Sequence, residues 1–434
     1  MSDNKKGGSN VFAGRNFRLV FFGALVSELG SILYSFAVSF YILEISNNNA
    51  VLQGLYLALC GAVMLVFTPI GGVLGDRFNK AKIMYLCDYV KGGLIILATA
   101  LMLVFRGNDA HIVLLFVIGI VGNAVSGVFN PAAAAIFPHI VDEDKLQQAN
   151  AYFTMKSSLE SILGVVLAGV LYAALPIYTL FFLVGACYVA SGISEMFIRY
   201  EHRPSEEKLT LKLALSDMRA GLVYLKGQKA LVAILVSALF VNFFLTPVTG
   251  NFIPFFIKTK VAGADSYLFD KLLSPELWSS VFSVMFGVST LAGAAVLSAR
   301  PQAEKCGHTV AKWICAAAVL LIALTGSYWF FVDKTARLNV FLVAFCAWCL
   351  LMGLAIVCVN IPLNTVMMRV VDEDKLSKVT GITSVFAQAL IPIASLLAGI
   401  ALQAAGSAAL LTICSVGFTA AALFLLINKE AKNI

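Results

Sequence analysis

Long apolar stretches alternate along this chain with short polar ones. Twelve stretches are long enough to cross a bilayer, which takes about 20 mostly apolar residues. They cover residues 17–43, 51–75, 83–105, 112–135, 151–173, 177–198, 230–257, 276–299, 310–332, 338–361, 379–400 and 406–427. The pattern predicts an all-α polytopic membrane protein with 12 transmembrane helices. Met1 to Asn10 is polar, and the first apolar stretch is too long and too late for a signal peptide. The first span is therefore expected to stay in the membrane.

One segment has a different period. Leu211, Leu215, Met218, Leu222 and Leu225 fall at steps of four and three, with Lys212, Arg219 and Lys226 between them. This spacing predicts an amphipathic helix on the membrane surface.

The polar connections carry a repeat. VDEDKL occupies Val141 to Leu146 and again Val371 to Leu376, an offset of 230. At the same offset Asn130 matches Asn360, and Leu167-Ala168-Gly169 matches Leu397-Ala398-Gly399. The chain thus reads as two six-helix bundles, 1–200 and 230–434, joined by a linker over 201–229 that holds the amphipathic segment. Six spans per half make parallel pseudo-repeats, related by an axis along the membrane normal with a cleft between them. The acidic residues of VDEDKL, among them Asp142 and Asp372, suit the start of a helix, where free N–H groups favour a carboxylate. They are either gating residues or solvated caps.

Composition agrees with the spans. The chain is 60% hydrophobic and 13% charged, whereas soluble domains are about 25% charged. Eight of the nine cysteines fall inside spans, and Cys306 lies in a loop. Cys346 and Cys349 form a CxxC within a span and read as small apolar filling. His111, His139, His202 and His308 are scattered and suggest no metal site.

The basic residues sort by side. Arg15 and Arg18 precede the first span, and the even-numbered connections carry most of the others. The positive-inside rule puts both termini in the cytoplasm. The net charge of +7 is then a set of membrane flanks, and nucleic-acid binding is not expected. No phosphate-binding loop, cofactor motif or nucleophile–base pair is present, so the reading is not that of an enzyme.

GGVLGDRFNKAK, Gly71 to Lys82, follows the second span. In this loop the chain resembles the major facilitator superfamily, whose signature between spans two and three is G-x-L-x-D-R-x-G-R/K-x-R/K. Gly72, Leu74, Asp76, Arg77, Lys80 and Lys82 match, and Asn79 stands where glycine is usual. Asn79 is read as a residue that tolerates a left-handed turn. The resemblance implies the major facilitator fold, and for Asp76 a bond to the other half that stabilises the outward-facing state. GRNFRLVFFGALVSELGSILYSFAVSFYILEIS and NPAAAAIFPHIVDEDKLQQANA are similar to the macrolide-efflux and enterobactin-exporter-like branch of bacterial transporters. The chain departs from related exporters in two places. The fifth span reads Leu163-Gly164-Val165-Val166-Leu167-Ala168-Gly169, without their proline. The fourth offers Asn123, Ser126 and Asn130 in place of arginine.

A carboxylate at mid-bilayer costs about 3 kcal/mol, so such groups belong in a wet cavity or beside a partner. Glu28 lies in the first span, with Ser27, Ser31, Ser35 and Ser39 recurring every fourth residue beside it. It is read as a proton-coupling or substrate-binding acid, with a fixed interhelical hydrogen bond as the alternative. Asp88 and Lys91 are three apart and read as a structural or gating pair. Lys156 and Glu160 are four apart, and Glu160 is deep enough to reach the cleft. Asn123, Asn242 and Gln388 complete the candidate cavity residues.

The combined expectation is a secondary active transporter of a bacterial cytoplasmic membrane. It would work as a monomer without cofactors and export an amphipathic small molecule in exchange for protons. The rival readings are transport of lipid, lysophospholipid, siderophore or another metabolite, and a non-transporting receptor or scaffold.

Overall fold

The computed structural model describes residues 11–141, 145–199, 229–298, 306–334, 337–370, 383 and 385–427. Asp142, Asp372, the linker over 201–228 and the second VDEDKL lie outside these residues, and so does the side chain of Asp76.

Among the described residues, eleven helices are long and apolar enough to cross a membrane. They are α1 (Arg15–Ile45), α2 (Ala50–Gly75), α3 (Lys80–Val104), α4 (Asn108–Phe137), α5 (Tyr152–Ala174) and α6 (Ile177–Met196). The later ones are α7 (Leu235–Val261), α8 (Leu277–Leu297), α9 (His308–Lys334), α10 (Leu338–Leu363) and α11 (Val385–Ile427). At 1.5 Å per residue, the 43 residues of α11 span about 65 Å, twice the thickness of a bilayer core. Gly406 interrupts it with φ 79° and ψ −177°, a backbone conformation that glycine adopts without strain. This break falls at the first residue of the last apolar stretch of the sequence.

Local chemistry sets the helix ends. The side-chain oxygen of Asn79 accepts from the Lys82 amide at 3.2 Å and caps α3. Its φ of −61° and ψ of 113° are those of an N-cap, so the left-handed turn expected there is corrected. Asparagine replaces the usual glycine because it supplies a capping oxygen. Asn47 and Asn48 carry the left-handed conformation instead. The Asn48 amide there donates to Leu43 O at 2.7 Å and closes α1.

The chain forms two compact units. The first comprises the described parts of Met1–Ser35, Val63–Gly164 and Leu175–Leu211. Lipid tails are as apolar as leucine, so close backbone approach and polar bonds hold such helices together. In this unit a Cβ on Gly92 of α3 would stand 2.8 Å from Gly185 O of α6. Val20, Ala81, Met84, Ala132, Ile136 and Ile198 form one buried cluster.

The second unit comprises the described parts of Phe36–Ala62, Val165–Ala174 and Lys212–Ile434. Its core is aromatic: the rings of Phe252 and Phe256 stack at 5.4 Å, and Phe341 and Phe345 at 5.7 Å. Thr325 Oγ1 and Ser415 Oγ share a hydrogen bond of 2.5 Å between α9 and α11.

The second unit is mixed in sequence. It holds the later ends of α1 and α5 and the first part of α2, together with α7 to α11. Segments from both sequence halves therefore pack into one body at one end of these helices.

Candidate functional site

That shared body carries a polar clamp. Lys258 Nζ, near the end of α7, lies 3.0 Å from Glu44 Oε2 at the end of α1. It also lies 3.1 Å from Glu276 Oε1, just before α8. Tyr172 of α5 donates to the same Glu44 oxygen at 3.3 Å. Lys258 and Glu276 are largely sequestered, at 13% and 15% side-chain exposure, whereas Glu44 is 55% exposed. The ammonium group thus ties three segments together, and the Glu44 carboxylate adds α5 through Tyr172.

Close helix contacts flank the clamp. A Cβ on Gly54 of α2 would stand 2.5 Å from Ser395 O and 3.0 Å from Gly399 Cα of α11. Gly399 in turn abuts Ala50 O, and Gly169 of α5 abuts Ser280 Oγ of α8. Ser280 Oγ donates to Val165 O at 2.8 Å. The Ala50 amide donates to Gln403 Oε1 at 2.9 Å. The preceding loop is ordered by Tyr267, whose hydroxyl donates to Leu273 O at 2.8 Å. Partial burial, with the negative charges of Asp270 and Glu276, raises the Tyr267 phenol above its ordinary range.

The first unit holds the acids expected from the sequence. Lys156 Nζ lies 2.9 Å and 3.0 Å from the two carboxylate oxygens of Glu160. Both side chains are buried. Glu160 opens a π-helical turn, Glu160–Gly164, inside α5, a distortion frequent at functional sites. Gly164 admits Ile32 and Leu29 of α1 against this turn. Glu28 is exposed. Ser27 is buried and bonded to its own helix at Ala24 O.

Asp88 and Lys91 do not form an ion pair among the described residues. Lys91 Nζ donates to Ser126 Oγ at 2.8 Å and to the Tyr188 hydroxyl at 3.2 Å. Asp88 is 2% exposed, and Glu195 of α6, 0% exposed, lies near enough to interact with it.

The remaining candidates are dispersed. Asn123 donates to Gly119 O of its own helix at 2.8 Å. Asn242 donates to Ala387 O of α11 at 3.2 Å. With Asn360 it also lines an otherwise apolar pocket of about 100 Å³ in the second unit. Gln388 is exposed on α11. A Cβ on Gly72 would meet no atom within 4 Å. Lys80 is buried, while Arg77 and Lys82 are exposed.

Glu44, Tyr172, Lys258, Glu276 and Glu195 were not candidates in the sequence. The clamp residues lie at helix edges, where charge is ordinary, and Lys258 is 214 residues from Glu44. Glu195 had one signal, an acid inside an apolar span.

The family model of the Major Facilitator Superfamily matches residues 20–395. An uncharacterized MFS-type transporter, YkuC of Bacillus subtilis (strain 168), is 25% identical over 398 residues, covering 88% of this chain and 85% of its own. Macrolide efflux protein A of Streptococcus pyogenes is 23% identical over 242 residues, covering 55% of this chain and 58% of its own. The crystal structure of a bacterial homologue of the iron transporter ferroportin, in an inward-facing state, superimposes with a TM-score of 0.68. Its identity is 16%, over 96% of this chain and 98% of that one.

Proposed function

Because the chain belongs to the Major Facilitator Superfamily, a family of membrane transporters, we propose that it exports an amphipathic small molecule by alternating access, driven by proton entry. The Lys258 clamp carries this reading. A transporter needs an end that closes and reopens at low cost. Few-angstrom polar contacts and glycine-lined crossings do that better than a large apolar interface, which would be slow to part.

The positive-inside rule supports an extracytoplasmic position for the clamp, with both termini in the cytoplasm. The macrolide efflux protein among the relatives supports export, and the exposed Glu28 in an apolar helix supports coupling to protons. The presence of both repeat halves in one chain supports a functional monomer in a bacterial cytoplasmic membrane.

The test is pH-gradient-driven uptake into inverted vesicles. The panel is a macrolide, a cationic dye, a catecholate siderophore and a lysophospholipid. Uptake of one class that collapses with the gradient is the expected result. Gradient-independent uptake, or none, rejects proton-driven export.

A further inference from the structure

The first unit contains a pair of acids that the clamp and the Lys156–Glu160 pair do not use. Asp88 on α3 and Glu195 on α6 are 2% and 0% exposed. Glu195 Oε1, Glu195 Oε2 and Asp88 Oδ2 all lack a hydrogen-bond partner. Ser191, one turn before Glu195, is 1% exposed. Its hydroxyl faces Asp88 without completing a hydrogen bond. The α1 helix seals the other side, where a Cβ on Gly23 would touch Glu195 Cγ and Ser191 Oγ, each at 3.4 Å.

The groups facing this pair are few. Lys91 and Cys87 on α3 lie within electrostatic reach of it. Lys91 directs its ammonium to Ser126 and Tyr188 instead. Tyr85 and Tyr89 pack on Gly192 of α6, and α1 presents glycine. Two carboxylates beside one lysine leave a buried net negative charge, which a low-dielectric interior strongly disfavours. One added proton makes the cluster neutral and supplies the missing donor between two acceptors. A hard metal cation would neutralise the charge too, but such ions take six or more oxygens. The surrounding backbone is helical, so its carbonyls are already engaged.

We propose that Asp88 and Glu195 form a proton-binding site in which two carboxyls share one proton within the α1–α3–α6 bundle. Such a pair titrates as a unit. Its link to transport, as a second proton site beside Glu28, rests on the function proposed above; the shared proton does not.

Infrared spectroscopy of the purified full chain in lipid vesicles tests it, with a pH titration of the protonated-carboxyl C=O band. A band present at neutral pH that disappears in Glu195→Gln and moves to a different midpoint in Asp88→Asn is expected. Absence of the band, or a band that neither substitution alters, overturns the proposal. So does a band whose titration is displaced by sodium ions, which would make the site a metal-cation site. Asp88→Asn serves where Glu195→Gln fails to fold, since either variant must change the band. A substitution-sensitive band in a protein without proton-driven uptake leaves the site standing and removes only the transport reading.

Discussion

Gly169 of α5 stands against Ser280 of α8, and the pair to which the 230-residue repeat maps them, Gly399 and Ala50, is also in contact. The same two-fold relation therefore links the α5–α8 and α2–α11 crossings. Glycine at both places lets the neighbouring helix approach closely, through the Ser280 side chain at Gly169 and through backbone atoms at Gly399.

Enlarging these glycines should hold the crossings apart. Gly54→Ala and Gly399→Ala each place a methyl group on backbone atoms of the facing helix. Vesicle uptake is expected to fall several-fold in both while the protein is still made and inserted. Gly72→Ala, with no atom in reach of its Cβ, should leave the amount of folded protein unchanged. Undiminished uptake in both Gly54→Ala and Gly399→Ala would remove the special role of the crossings.

Lys258→Met leaves Glu276 largely sequestered without its cation. Losing a charged hydrogen-bond partner there costs about 1–3 kcal/mol, whereas the more exposed Glu44 arm adds only about 0–1 kcal/mol. The closed arrangement should lose roughly tenfold in population, at 1.4 kcal/mol per factor of ten. Spin labels at Asn47→Cys and Ala262→Cys report this as a longer and broader distance distribution. An unchanged distribution would mean that the clamp is decorative.

The Lys156–Glu160 pair is buried, so removing one partner strands a charge. Lys156→Met should destabilise the folded protein by about 3–5 kcal/mol, read as a lower thermal midpoint. The double change to Met at both positions should recover much of that loss, because no charge is left unpaired. A double variant as unstable as the single one would contradict pair neutralisation.

Glu28→Gln keeps the shape and removes the titrating group. If Glu28 couples protons, gradient-driven uptake should fall at least about tenfold, about 1.4 kcal/mol of barrier, and lose its pH dependence. Retention of both would assign Glu28 to a fixed hydrogen bond.

Much of the fold was readable because its cause is local. Apolar length marks the helices, and the Leu-Ala-Gly repeat marks equivalent positions in the two halves, though not the crossings they make. Asn79 was visible as a departure from the signature, but its cap becomes evident only when the Lys82 amide is placed against it. The Lys156–Glu160 pair followed from helical spacing. Asp88 and Lys91 have similar spacing, yet Lys91 bonds across to α4 and α6. Tertiary partners overrode the local one. The clamp was illegible for the same reason: its members meet only when α1, α5, α7 and α8 come together.

Transport on this scheme requires the clamped end to open. Glu44→Cys with Lys258→Cys, joined by a short bis-maleimide in reconstituted vesicles, tests it directly, with single-cysteine variants as controls for the native thiols. Cross-linking is expected to stop uptake in the double variant and to leave the single variants active. Undiminished uptake by fully cross-linked protein would contradict that requirement.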